Sequence, residues 1–149
     1  MNIGKLKKRN FISKGEGKIM EDLIAKGSEH ILFVDDEVYL ADIGKELLED
    51  YGYVVESMTS SKEAFELFEK YPDQFDLVIT DYTMPEMNGE QLARKIRRIN
   101  PNVPIIMCTG IFLDSEITNG LEFERILVKP IDMEDILKNV REVLDNTSV

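Results

Sequence analysis

Several kinds of chemistry are excluded by what this chain of 149 residues lacks. It has one cysteine, Cys108, so no internal disulfide framework can form. Cys108 lies in a mostly apolar run and is expected to be a small buried core residue. It has one histidine, His30, expected at the surface just ahead of the first strand. Without a His or Cys cluster, zinc chemistry and a Ser-His-Asp triad are out of reach. No apolar run is long enough for a transmembrane span, and nothing resembles the h-region of a signal peptide. No membrane insertion and a cytoplasmic location are therefore expected. Basic charge is scarce too: 18 Lys and Arg face 29 Asp and Glu, for a net charge of −11.

That charge is unevenly placed. Residues 1–29 hold seven Lys or Arg and four Asp or Glu, a net +3, which leaves −14 on the rest. An acidic body argues against direct DNA binding and favours a divalent cation. Residues 1–28 contain glycines and no apolar run. They are expected to form a basic, flexible extension ahead of one domain at 29–149. Ile19, Met20, Leu23 and Ile24 could make a short amphipathic helix within it.

From residue 31 onward apolar runs alternate with segments of helical spacing. The runs at 31–34, 53–58, 75–79, 103–108 and 126–128 predict five short buried strands. Leu40, Ile43, Leu47 and Leu48 predict a helix stripe, as do Ala64, Phe65, Leu67 and Phe68. Leu92, Ile96 and Ile99 give a third, and Ile136, Leu137, Val140 and Leu144 a last one. Ser60 or Ser61, Asn88 and Asp132 can cap helices; Gly52 and the pair Asn100 and Pro101 can end them. The segment 114–120, with Thr118, Asn119 and Gly120, predicts only a short, frayed helix. Strict alternation of strand and helix implies an α/β fold, a doubly wound parallel sheet with helices on both faces.

In such a sheet ligands bind at the carboxyl ends of the strands. Those ends carry Asp35 and Asp36, then Asp81, Thr109 and Lys129. A carboxylate there is costly to bury unless it is paired or metal-bound. Three carboxylates and a lysine at one sheet edge therefore read as one site. Oxygen ligands with room for water suit Mg2+. A carboxylate can also be a nucleophile toward phosphorus, and phosphoryl transfer needs positioning and charge neutralisation above all. Asp35, Asp36 or Glu37 could instead be only a helix N-cap.

Asp35 and Asp36, the string Asp81-x-x-Met84-Pro85-x-Met87-x-Gly89, Thr109 with Gly110, and Lys129 with Pro130 resemble the receiver domain of two-component response regulators. The resemblance covers roughly residues 29–146. It implies a flavodoxin-like, five-stranded sheet of order 2-1-3-4-5. It implies phosphorylation of Asp81 from a sensor histidine kinase or a histidine phosphotransfer protein, with Mg2+ as cofactor. Asp36, Asp81 and the main-chain carbonyl of Thr83 would bind the ion, Asp35 mostly through water. Thr109 would hydrogen-bond the phosphoryl group, and Lys129 would pair with Asp81 and then with a phosphoryl oxygen. The Lys129 to Pro130 peptide would be cis. The chain would be a signalling domain rather than an enzyme acting on other substrates, with no output domain.

Two positions depart from the family pattern. Ile126 stands where an aromatic switch residue is usual. Thr83 and Ile111 stand where carboxylates or amides often orient an attacking water, so slow self-dephosphorylation is expected. Two alternatives are weaker. A haloacid-dehalogenase type phosphatase would leave the Met84 and Pro85 loop unexplained. A phosphate-independent binding module would leave the complete pocket unexplained.

Overall fold

In the computed structural model residues 24–111 and 123–147 are described. Five strands form one parallel sheet: β1 His30–Val34, β2 Val54–Met58, β3 Leu77–Asp81, β4 Ile105–Thr109 and β5 Arg125–Val128. Among the described residues four helices accompany them: α1 Val38–Asp50, α2 Ser61–Lys70, α3 Gly89–Ile99 and α4 Met133–Thr147. The order is β2-β1-β3-β4-β5, the flavodoxin-like arrangement. The reversal of direction lies between β1 and β3, so a crevice opens at their carboxyl ends.

Each sheet face has its own core. Ile31, Phe33, Ile79 and Cys108 cluster with Leu48 of α1 and Leu137, Val140, Val143 and Leu144 of α4. Leu32, Val34, Val78 and Ile105 cluster with Ala64 and Phe68 of α2 and Leu92, Ala93 and Ile96 of α3. Alternate strand residues supply the two faces, as the period of two demands. Cys108 is buried, as expected.

The caps follow side-chain chemistry. The Ser60 hydroxyl accepts from the Glu63 amide at the start of α2. Asn88 and Gln91 form a reciprocal capping box on α3. Gly52 stands just past α1 with φ 100, a conformation that needs glycine. The Asp132 carbonyl accepts the first bond of α4, from the Ile136 amide. Asn100 closes α3, with its amide bonded to the Ile96 carbonyl.

Three details differ from the sequence pattern. On α1 the buried residues are Ala41, Gly44 and Leu48, not the larger Leu40, Ile43 and Leu47. The Phe33 ring lies against Gly44, where a Cβ would come within 2.4 Å of it; the helix turns its smallest side chains to that ring. β5 is not a buried strand: Ile126 and Val128 are exposed. It is an edge strand, and Leu127 is the central residue that packs against the α1 and α4 core. Packing also reaches further back than residue 29, for Ile24 is buried in that same core. The Gly27 amide donates to the Tyr51 carbonyl at 2.9 Å. The short helix expected at 114–120 and most of the extension lie outside the described residues. No described helix is long and apolar enough to cross a membrane.

Candidate functional site

β1 and β3 are the central strands, buried along almost their whole length. Their ladder continues far enough to carry acids into the interior. The Asp35 amide still donates to the Met58 carbonyl of β2 at 3.1 Å. Asp81 is the last residue of β3 and pairs with Cys108 of β4. Asp35 and Asp81 are therefore both buried, and Asp36 is half-buried. One carboxylate oxygen from each of Asp35, Asp36 and Asp81 lies within 4.8 Å of the others.

Lys129 comes from the end of β5, across β4. Its amide donates to the Thr109 carbonyl at 2.7 Å, and the peptide to Pro130 is cis. Its ammonium is 2.9 Å from Asp81 Oδ1 and 3.5 Å from Asp35 Oδ2. Asp35 turns its other oxygen, Oδ1, to the Glu37 amide at 2.9 Å. Asp35 is thus both a site acid and a support for the turn leading into α1, whose N-cap Glu37 makes no side-chain cap bond. Asp35 is therefore not the N-cap of α1: that residue is Glu37, and the Asp35 bond to its amide is a turn contact two residues on, ahead of the helix.

The electrostatics follow from burial and neighbours. Burial pushes the Asp81 carboxyl up; the hydrogen bond and charge of Lys129 pull against this, and Asp35 and Asp36 push it up further. Burial works against the Lys129 charge, but its contacts with Asp81 and Asp35 outweigh this and raise its pKa. The Cys108 thiol beside them is pushed up to about 12 by burial, and is inert.

The remaining residues named from the sequence are placed differently. Thr109 ends β4 and is buried, but its hydroxyl is engaged with the main chain of Ile111, donating to the carbonyl and accepting from the amide at 3.1 Å each. Thr83 is exposed on the loop after Asp81, while Met84 packs inward. Ile111 is exposed.

Three residues shape the site without any role read from the sequence. The buried Thr80 hydroxyl donates to the Asp81 carbonyl at 3.0 Å. Gly89 lies so close to β3 that a Cβ would be 2.3 Å from that carbonyl oxygen. Glu86 takes a positive φ of 68 in the loop between them. Gly89 stands in the motif string, which was the one available signal for it. The other two depend on where the loop meets β3, which no local pattern encodes.

The donor set is three carboxylates without nitrogen or sulfur, a lysine beside them, and an edge open to water. It fits a hard divalent cation such as Mg2+.

Comparison with known proteins agrees with this geometry. Residues 31–141 match the family model of the response regulator receiver domain. The chain is 29% identical over 136 residues to the sensor kinase CckA of Brucella abortus, covering 90% of this chain and 14% of that protein. It is 28% identical over 118 residues to the chemotaxis protein CheY of Thermotoga maritima, covering 77% of this chain and 97% of that one. A crystal structure of a CheY-like receiver domain protein from Methanospirillum hungatei superposes with a TM-score of 0.76 at 29% identity, over 82% of this chain and 98% of that one. The chain spans half or less of the length of several curated relatives that it matches. With its sheet order, its acidic crevice and the family match over most of its length, this chain belongs to the response regulator receiver domains of two-component signalling.

Proposed function

We propose that Asp81 accepts a phosphoryl group from a phosphohistidine of a sensor kinase or phosphotransfer protein, with Mg2+ bound in the acidic crevice. The observation that carries this reading is Lys129 Nζ at 2.9 Å from Asp81 Oδ1, with Asp35 and Asp36 acids within 4.8 Å. The free oxygen of Asp81 attacks phosphorus. The bond from phosphorus to the imidazole nitrogen breaks, and its electron pair stays on the imidazole. Asp36, Asp81 and the Thr83 carbonyl would hold the ion, with Asp35 acting through water. The ion supplies neutralising charge for the phosphoryl oxygens. Lys129 exchanges its bond to Asp81 for one to a phosphoryl oxygen. Thr109 leaves Ile111 to bond another, which couples the site to the loop after β4. The receiver unit is taken as residues 29–149, with 1–28 as its extension and the cytoplasm as its compartment. The chain modifies only itself, and its output is a conformational change read by another protein.

Incubation with Mg2+ and acetyl phosphate, followed by intact-mass measurement, tests the reading. One phosphoryl group should be gained, and only with a divalent ion. Asp81→Asn should abolish the gain. Full labelling of that variant overturns the assignment, and no labelling of the unmodified protein favours a phosphate-independent binding module.

A further inference from the structure

Thr80 carries a buried hydroxyl that packing does not require. It is 1% exposed, shares its sheet face with Val78, and lies opposite Val34 of β1 and Met107 of β4. Valine has the same shape without the cost of burying a hydroxyl. The hydroxyl donates to the carbonyl of Asp81, the next residue, at 3.0 Å. We propose that Thr80 is a positioning residue for phosphoryl transfer. It holds the peptide between Asp81 and Tyr82 so that the Asp81 carboxylate and the Thr83 carbonyl are presented together to the ion. This rests on the reading of Asp81 as the phosphoacceptor.

The strand register shows why the bond is needed. β1 pairs with β3 as far as Val34 and Thr80, so Asp81 projects one residue beyond that pairing. Its registered partner is Cys108 of β4, on the other side. A strand-end residue held on one side is free to tilt, and tilting swings its carboxylate.

The peptide after Asp81 is instead held at both ends. Its carbonyl accepts from the Thr80 hydroxyl, and its N–H, that of Tyr82, donates to the Cys108 carbonyl at 2.8 Å. The following carbonyl, that of Tyr82, accepts from the Gly89 amide at 2.8 Å. Two consecutive peptides are thus anchored between the phosphoacceptor and Thr83. Gly89 leaves room for the same Asp81 carbonyl, since a Cβ there would lie 2.3 Å from its oxygen. Without the Thr80 hydroxyl a buried carbonyl loses a donor and the first peptide is released at one end. The effect falls on the placement of the attacking oxygen, to which reaction rates are steeply sensitive.

Thr80→Val, Thr80→Ala and Thr80→Ser separate the hydroxyl from packing. Each protein is titrated with Mg2+ by isothermal calorimetry, labelled with acetyl phosphate at saturating Mg2+, and melted in urea with EDTA. Thr80→Val and Thr80→Ala should each weaken Mg2+ binding by about 3- to 10-fold, the value of one hydrogen bond. They should slow labelling at saturating Mg2+ by about tenfold or more. Thr80→Ser keeps the hydroxyl and should stay within about twofold of the parent on both measures. If Thr80→Val fails to fold, the comparison of Thr80→Ala with Thr80→Ser carries the same test. A lower urea midpoint with unchanged Mg2+ affinity and labelling rate overturns the proposal, because Thr80 then serves stability alone. So does a Thr80→Ser protein as impaired as Thr80→Ala. A parent that neither binds Mg2+ nor labels overturns the phosphoacceptor reading itself, and this proposal with it. A parent that labels beside three variants that match it overturns only the role of Thr80.

Discussion

Asp35 and Asp36 are adjacent acids with different physical duties. Asp35 supports the Glu37 amide and faces Lys129. Asp36 is half-buried and adds like charge within 4.8 Å of the other two acids. At that separation and an effective dielectric near 20, an ionised pair repels by roughly 3 kcal/mol before Lys129 and solvent reduce it. Asp36→Asn should therefore stabilise the metal-free protein by about 1 kcal/mol, and remove most of the increase in melting temperature that Mg2+ gives the parent. Asp35→Ala should destabilise the metal-free protein by about 1 kcal/mol, since it leaves the Glu37 amide without its carboxylate partner. Thermal melts in EDTA and in millimolar Mg2+ check both. If Asp36→Asn melts lower than the parent in EDTA and gains as much from Mg2+, the acidic crevice is not what limits the apo protein.

Among the elements, α3 sets the back wall of the site through its first turn. Asn88 and Gln91 satisfy the two amides at its start, and the Gly89 amide donates to the Tyr82 carbonyl at 2.8 Å. Asn88→Ala should cost about 1 kcal/mol, the ordinary value of a cap. Gly89→Ala should cost more, about 2 kcal/mol, because its Cβ would press on the Asp81 carbonyl and on Met107 Sδ at 2.9 Å. The first change affects stability alone. The second should also weaken Mg2+ binding, since Asp81 must move. Urea melts with a Mg2+ titration distinguish the two; unchanged Mg2+ affinity in a folded Gly89→Ala protein contradicts the wall role.

For the molecule as a whole, the amino edge of the sheet is closed by one cluster. Arg141 of α4 binds both oxygens of Glu29, the Tyr53 hydroxyl and Asp145. It ties the segment entering β1 to the last helix, 112 positions apart. The Arg141 hydrogen bond lowers the Glu29 carboxyl from 4.5 to about 2, against the opposing effect of burial. A depressed carboxyl contributes stability above its unfolded pKa and loses it as pH falls through the folded value. The cluster should thus stabilise fully above about pH 5 and contribute nothing below about pH 2. Glu29→Gln should cost about 1 kcal/mol at neutral pH after screening, with the difference shrinking as pH drops through that window. Denaturant melts as a function of pH measure it; a difference that grows on acidification contradicts the linkage.

The fold class was legible because short, mostly apolar runs alternate with stripes of spacing three and four, weakest at 114–120. The site was legible because Asp35, Asp36, Asp81, Thr109 and Lys129 each follow an apolar run, and such placement is costly without a function. The sequence by itself therefore determined the alternation, the caps at Ser60 and Asn88, and the set of charges at the strand ends. Only the tertiary structure decided that Asp35 shares itself between Lys129 and Glu37, that Gly44 yields to Phe33, and that Gly89 touches the Asp81 carbonyl. It also decided that β5 is a half-exposed edge and that folding already includes Ile24. Each of these depends on which residues distant in the chain arrive at the same place, and a local period records which way a side chain points, not what meets it there.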